Sequence, residues 1–382
     1  MAGTKAAVAP PIRPGGGMTI SLYVARRFFW MVIQVFLIFF GIMMLIDIIE
    51  QLRKFGNTDI AITTAAHMAL MNVPESLYRI LPLILIMAAI AMFLGLARSS
   101  ELVVVRAAGR SGLSFLAAPV LTALVIGAFA VAVLNPLVAA TSKEYDALFS
   151  RQSQGKGSVL SVSDSGLWLR QGGDDGQTVI QAARANSDGT ELFQVTFMTF
   201  SAAGLATARI EAERAVLEPG AWVLDGAKRW TLTDTNPEST AALMAQALRV
   251  PSELTRDSIR DSFGTPSAIP IWDLPNYING LEKAGFSARS YRVWLQMELA
   301  QPLLLVAMVL IAAGFTMRHA RFGKTGTMVL FALLSGFTIF FLRNFAQVLG
   351  DSGQIPIALA AWSPPVAAVM ASLGLLLHLE DG

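Results

Sequence analysis

Two groups of three apolar stretches, each long enough to cross a bilayer, flank a polar middle, and this layout limits the architecture more than any single residue does. A spanning helix needs roughly 20 mostly apolar residues, because each adds about 1.5 Å along about 30 Å of hydrocarbon. Residues 28–49, 80–97 and 113–137 meet that length before the middle; residues 299–317, 328–349 and 355–379 meet it afterwards. The expected fold is an α-helical polytopic membrane protein with six transmembrane helices, three plus three, and an inserted all-β, jelly-roll-like domain. A hydrophobic share of 54% against 15% charged, with a mean hydropathy of +0.55, lies far from the balance of soluble domains. The net charge of +2 predicts no nucleic-acid partner. There are no cysteines, so disulfides, thiolate metal sites and thiol nucleophiles are excluded.

Residues 1–17 are rich in Ala, Pro and Gly, end in Gly15-Gly16-Gly17, and read as a disordered N-terminal extension with no apolar run for a signal peptidase. Met18 is an equally good native start. The remaining divisions are residues 18–139 for the first three spans, 140–290 for the β domain with a connector helix, and 291–382 for the last three spans.

Orientation follows from the basic residues of the short loops. One side gathers Lys5, Arg13, Arg26, Arg27, Arg98, Arg106, Arg110, Arg318, Arg321 and Lys324; the other holds Arg53, Lys54, Arg79 and Arg343, with Glu50, Asp59 and Asp351 nearby. Both termini are therefore expected in the cytoplasm. The insert falls outside, in the periplasm if the cell is Gram-negative.

In the insert, Phe193-Gln194-Val195-Thr196-Phe197 and Ala208-Arg209-Ile210-Glu211-Ala212-Glu213 alternate apolar and polar residues with the period of a half-buried strand. Residues 166–170, 221–224 and 230–233 read as further strands, and Gly172-Gly173-Asp174-Asp175-Gly176, Ser187-Asp188-Gly189 and Glu218-Pro219-Gly220 as turns. Short strands at this spacing indicate a sandwich or jelly roll. Its apolar inner face either makes only the core or leaves a groove for acyl chains, with Phe197, Ile210 and Trp222 as the groove candidates. Asp273-Leu274-Pro275 then starts an amphipathic connector, with Asp273 as N-cap, Leu274, Tyr277, Ile278 and Leu281 on one face, and Gly285 as the stop. Tyr291 and Trp294, with Arg289 and Arg292, read as an interfacial anchor before span four.

The loop between spans two and three is short but patterned. Ser99 or Ser100 can cap a helix, Glu101 lies in its first turn, and Gly109 can close it, giving a helix of about residues 99–109 under the membrane. Such a helix either fits a groove on a soluble partner, with Glu101 and Arg106 setting the register, or is a simple helical turn between spans.

Arg98-Ser99-Ser100-Glu101-Leu102-Val103-Val104-Val105-Arg106-Ala107-Ala108-Gly109 resembles the cytoplasmic signature of the LptF/LptG permeases of the lipopolysaccharide export machinery. Tyr23-Val24-Ala25-Arg26-Arg27, Gln51-Leu52-Arg53-Lys54-Phe55-Gly56, Val73-Pro74-Glu75 and the connector segment resemble the same family, so the likeness covers about residues 18–379. The Ser-Glu-Leu-Val wording leans towards the LptG member. The resemblance implies a permease half in the inner membrane that pairs with an LptF-like permease, is driven by an LptB-like cytoplasmic ATPase dimer, and hands lipopolysaccharide to an LptC-like periplasmic protein. ATP and magnesium would be bound by that ATPase, and no cofactor or metal by this chain. The coupling positions of the family match Glu101, Leu102, Val105 and Arg106 here.

A cavity for lipopolysaccharide, bounded by membrane lipids, needs apolar walls and cations at headgroup depth. Arg53 and Lys54 at the outer end of span one and Arg343 in the outer part of span five are the candidates. For Arg53 and Lys54 the alternative is an ordinary solvated helix end. Arg343 carries more weight, because a charge inside hydrocarbon costs a few kcal/mol and normally faces a partner or cavity. Asp47 lies at similar depth where family members commonly carry basic character. The hypothesis that follows is an intramembrane pair of Asp47 and Arg343, within the chain or through the partner permease. Six helices can scarcely enclose a multi-chain lipid alone, so a heteromeric partner is expected, with Gly95 and Gly127 permitting close helix packing.

Catalysis is not expected. Gly323-Lys324-Thr325 lacks the P-loop glycine five positions before Gly323, where Arg318 stands, and His67, His319 and His378 are not spaced as a zinc pair. The alternative from another class is a non-transporting scaffold whose β domain binds envelope proteins by strand addition.

Overall fold

The computed structural model describes residues 16–55, 61–99, 101, 112–152, 160–163, 166–173, 176–186, 189–201, 204–233, 236–239, 241–243, 247–252, 254–255, 259, 265–317 and 325–380. Every apolar stretch is a helix of spanning length. Span one is α1 (Gly16–Lys54), which is preceded by residues outside the description and includes Gly16 and Gly17. An amphipathic helix, α2 (Ile62–Arg79), leads into span two, α3 (Leu81–Arg98). Span three is α4 (Gly112–Phe129), which continues through a π-helical turn (Ala130–Leu134) into α5 (Asn135–Gln152). After the β domain and the connector α6 (Leu274–Lys283), spans four, five and six are α7 (Arg289–Thr316), α8 (Thr325–Asp351) and α9 (Ile357–Glu380).

Similar hydropathy leads to very different burial. In the most apolar part of α7, 78% of residues are buried, against 11% in α1 and 11% in α8. Span four is therefore the axis of the bundle, in contact with α3, α4, α8 and α9. Gly127 of α4 lies against Pro302 of α7, where an added Cβ would come within 2.5 Å of the proline Cα, so the absence of a side chain sets that helix separation.

The insert differs from its expected start at residue 140. Helix α5 runs to Gln152, and the first strand begins at Leu160. No glycine or proline interrupts the run from Leu137 to Gln152, and its inner positions find partners: Val138, Ala139 and Ser142 are buried, and Tyr145 accepts a 3.0 Å bond from Gln51 Nε2 of α1.

The strands are β1 (Leu160–Ser163), β2 (Gly166–Gly173), β3 (Gly176–Ala185), β4 (Glu191–Ser201), β5 (Ala206–Glu218), β6 (Ala221–Asp225), β7 (Lys228–Thr231), β8 (Ala242–Leu243) and β9 (Leu248–Pro251). They form one antiparallel sheet in the order β1-β2-β3-β4-β5-β6-β9, with β7 pairing β5 and β8. The long β5 takes β6 along residues 214–218 and β7 along residues 208–211, so the sheet divides at its middle strand. Among the described residues the inner face is covered by α6 and the start of α7. Leu274, Ile278 and Leu281 of α6 join Leu167, Ile180, Phe197 and Trp222 in a single apolar cluster.

Asp273 stands at the N-cap of α6 but makes no capping bond through its side chain. Gly285 ends the connector with φ +92°, and an added Cβ would lie 2.1 Å from the Ala185 carbonyl oxygen. Only glycine meets both demands. The expected membrane anchor is also reassigned: Tyr291 is buried in the β-domain core beside Tyr277, with ring centroids 5.2 Å apart, and Trp294 packs on the same cluster. Helix α7 begins within that domain, so its first turns serve the sheet rather than the lipid interface. Arg289 fastens this same end of the membrane bundle, donating from Nε to Gly350 O (2.6 Å) and from Nη2 to Ile355 O (2.7 Å) across the turn between spans five and six.

Candidate functional site

Three places carry the residues singled out by sequence. At the expected cytoplasmic edge, Glu101 is described, whereas Leu102, Val105 and Arg106, and most of the helix expected at about 99–109, lie outside the described residues. Glu101 closes a cluster drawn from three elements. Arg27 of α1 donates from Nη1 to Glu101 Oε1 (2.8 Å) and Oε2 (3.0 Å), and also to the Tyr23 hydroxyl (2.7 Å). Tyr23 Oη lies 3.3 Å from Glu101 Oε2, and the Ser99 hydroxyl 2.7 Å from Oε1. Gly95 of α3 leaves room for the guanidinium, with an added Cβ 3.5 Å from Arg27 Nη2. Partial burial pushes the Glu101 carboxyl up, but bonds from Arg27 and Ser99 pull it further down, so it sits below its ordinary range and is ionised at neutral pH.

The second place is the outer part of the bundle. Arg343 of α8 is 7% exposed, and the charged or polar groups acting on it are Glu298 of α7 and Tyr78 of α2. Glu298 is fully buried and its Oε2 accepts from the Tyr78 hydroxyl, while Asn135 at the start of α5 lies beside both. Asn135 Oδ1 also accepts from Ile271 N (2.9 Å), and Trp272 Nε1 donates to Ala132 O (3.2 Å). The π-helical turn widens the carbonyl ladder of span three where the connecting segment is held. Tyr78, Glu298 and Asn135 from three elements thus form one polar cluster in the bundle, with Arg343 of a fourth in its field.

This arrangement corrects the pairing of Asp47 with Arg343 inside the chain. Asp47 is buried, accepts a 2.8 Å bond from Asn72 Nδ2 of α2, and feels Glu50 and Lys54, not Arg343. Similar depth does not imply a shared face, and Asp47 turns towards α2 while Arg343 turns towards α7. Arg53 and Lys54 are exposed in the last turn of α1, where Lys54 pairs with Glu50 at 2.8 Å. Among the described contacts neither touches Arg343, so the three candidate headgroup cations do not form one cluster within this chain.

The third place is the β domain. Phe197 and Trp222 are fully buried and Ile210 is 5% exposed, with the Phe197 and Trp222 rings edge to face at 6.4 Å. The inward side chains fill a closed core capped by α6 in this conformation. They do not line an open groove.

Glu298, Tyr78, Asn135 and Arg27 escape the sequence reading as site residues. Glu298 stands one position before the apolar run that begins at 299, so it passes for a boundary charge until the helix is seen to start at Arg289. Arg27 counts there towards orientation and the family resemblance but not as a site residue, although an arginine at the start of an apolar stretch is a charge in need of a partner.

The comparisons with known proteins agree with this architecture. LptG, the lipopolysaccharide export system permease protein of Escherichia coli K12, is 25% identical over 363 residues, covering 93% of this chain and 97% of the relative. The LptG protein of Haemophilus influenzae is 23% identical over 377 residues, covering 95% and 99%. Six helices able to span a membrane and this kinship describe a multi-pass inner-membrane protein. The family model for the lipopolysaccharide export system permease LptF/LptG matches residues 22–378, nearly the whole chain, and the chain belongs to that family.

Proposed function

We propose that this chain is a non-catalytic permease subunit of an ATP-driven lipopolysaccharide exporter, which extracts lipid from the outer leaflet of the inner membrane and passes it to a periplasmic bridge. The observation that carries the proposal is the family match over residues 22–378, laid on a bundle whose spans one and five leave their apolar faces uncovered. Leu37, Leu45 and Ile49 of α1 and Phe341, Phe345 and Val348 of α8 are exposed. A second permease would share these faces to enclose a lipid with several acyl chains, consistent with an LptF-like partner. An LptB-like ATPase dimer would bind ATP and magnesium and act on the segment beginning at Glu101, and an LptC-like protein would receive lipid from the β domain. Both termini would be cytoplasmic and the sheet periplasmic, as the basic loops imply.

The closed core at Phe197, Ile210 and Trp222 limits the route. Acyl chains either pass along the outside of the sheet or enter only when α6 moves. The decisive experiment reconstitutes this chain with the candidate permease, the ATPase and the periplasmic acceptor in proteoliposomes containing lipopolysaccharide. Release to the acceptor that needs ATP and every subunit is the expected result. No release in any combination, with the complex intact, would replace the transporter with the scaffold.

A further inference from the structure

We propose that Arg27 and Tyr23 are positioning residues that bind the Glu101 carboxylate to span one, so that displacement of the segment beginning at Glu101 is carried into the cytoplasmic end of that span. The inference rests on the permease function proposed above. It differs from a role in which Glu101 acts only by docking on the ATPase, because it gives the carboxylate a partner inside its own chain.

Both carboxylate oxygens are engaged: Oε1 meets Arg27 and Ser99, and Oε2 meets Arg27 and Tyr23, at 2.7–3.3 Å. Arg27 is held in turn by the Tyr23 hydroxyl one helical turn before it, and it lies over Gly95 of span two. The clasp therefore joins span one, the end of span two and the start of the following segment through one guanidinium. Its side chains remain about a third exposed, 29% for Arg27 and 36% for Glu101. An ion pair so open to water adds little to stability and can break and re-form, so its consequence is geometric. Span one is well suited to follow a pull at this point. Only 11% of its most apolar part is buried, so it presents a long uncovered face.

The test uses the full complex in proteoliposomes and compares Arg27→Glu, Glu101→Arg and the double variant that exchanges the charges. The readouts are co-purification of the subunits, ATP hydrolysis, and lipid released per ATP hydrolysed. Each single exchange is expected to lower lipid per ATP by roughly 5-fold or more, the range of ordinary intersite coupling, while the subunits still co-purify. The double variant is expected to recover most of that ratio, and Tyr23→Phe to lose less than Arg27→Glu. If Arg27→Glu is silent, or if the double variant remains as uncoupled as Glu101→Arg, Glu101 works through the ATPase alone and the proposal falls. Should the charge reversals prevent assembly, Arg27→Gln and Arg27→Lys decide: uncoupling by glutamine with retention by lysine supports the clasp, and equal behaviour overturns it. Absence of lipid release from the unmodified complex instead overturns the permease reading, and the clasp's role with it.

Discussion

At two points in this molecule a carboxylate acts on a guanidinium from another helix, as a bonded ion pair at the first and without a direct ion pair at the second, and the two differ in nearly everything except their chemistry. Glu101 and Arg27 sit at the edge of the bundle, partly hydrated, with short and well-formed bonds. Glu298 and Arg343 lie in its interior, with Tyr78 and Asn135 around them, and water cannot take over if one partner leaves. Breaking the first pair exchanges protein contacts for solvent. Removing one of the second two groups leaves the other's charge stranded inside the bundle. The exposed pair suits a joint that moves, and the buried one suits a joint that stays closed. Burial of the helices follows the same division, since α7 is the axis and α1 lies on the rim.

The largest effect is therefore expected from Glu298→Leu, which takes the acceptor from the buried Tyr78 hydroxyl and removes the carboxylate whose field compensates buried Arg343. Leaving a buried charge uncompensated typically destabilises by about 3–5 kcal/mol. Thermal unfolding of the purified complex in detergent should show a clearly lowered midpoint. Adding Arg343→Leu should restore much of the loss, because the stranded charge is then gone. A double variant no more stable than the single would mean that the two charges do not act on each other, and the contrast between the two joints would fail.

A steric version of the comparison comes next. Gly127→Ala forces a methyl group to within 2.5 Å of the Pro302 backbone and must push span three from the axis, at a cost of about 1–3 kcal/mol for overpacking. Gly95→Ala meets only Arg27 Nη2 at 3.5 Å, an ordinary contact that the arginine can accommodate. The first substitution should lower the unfolding midpoint, while the second should leave it in place. Equal effects would show that the rim at Gly95 is packed as rigidly as the axis.

Much of this arrangement can be read from the chain before its fold is known, and the rest shows where periodicity stops being informative. Hydropathy over about 20 residues finds all six spans because the hydrocarbon thickness is fixed. The alternation at Phe193-Gln194-Val195-Thr196-Phe197 places Val195 and Phe197 inward, as found. It cannot tell whether a second sheet or the amphipathic helix from Leu274 will cover that face, since both supply the same apolar stripe. The extension of α5 past residue 140 is hidden because polar residues such as Lys143 and Glu144 are sound helix formers outside a membrane and mark only where hydrocarbon ends. Pairing of buried charges is the least legible feature. Asp47 and Arg343 share a depth, but which charge faces which depends on helix rotation, and the carboxylate that acts on Arg343 comes from a helix that the apolar run alone begins too late.

The smallest structural effect, and the sharpest test of exposed charge, belongs to the outer end of span one. Arg53 and Lys54 are exposed, and Lys54 pairs with Glu50 across one helical turn. Replacing both by alanine should leave the unfolding midpoint unchanged. If these cations meet lipid phosphates as the chain works, lipid release by the double variant should fall a few-fold at low ionic strength, with a smaller loss at high salt, where the screening length shrinks to about 3 Å at 1 M. Measured at both ionic strengths, release from the double variant separates the two roles of an exposed cation. A deficit that shrinks with salt assigns Arg53 and Lys54 to the headgroup. Unaltered release at low salt makes them a solvated helix end and leaves cargo charge to be met by the partner permease.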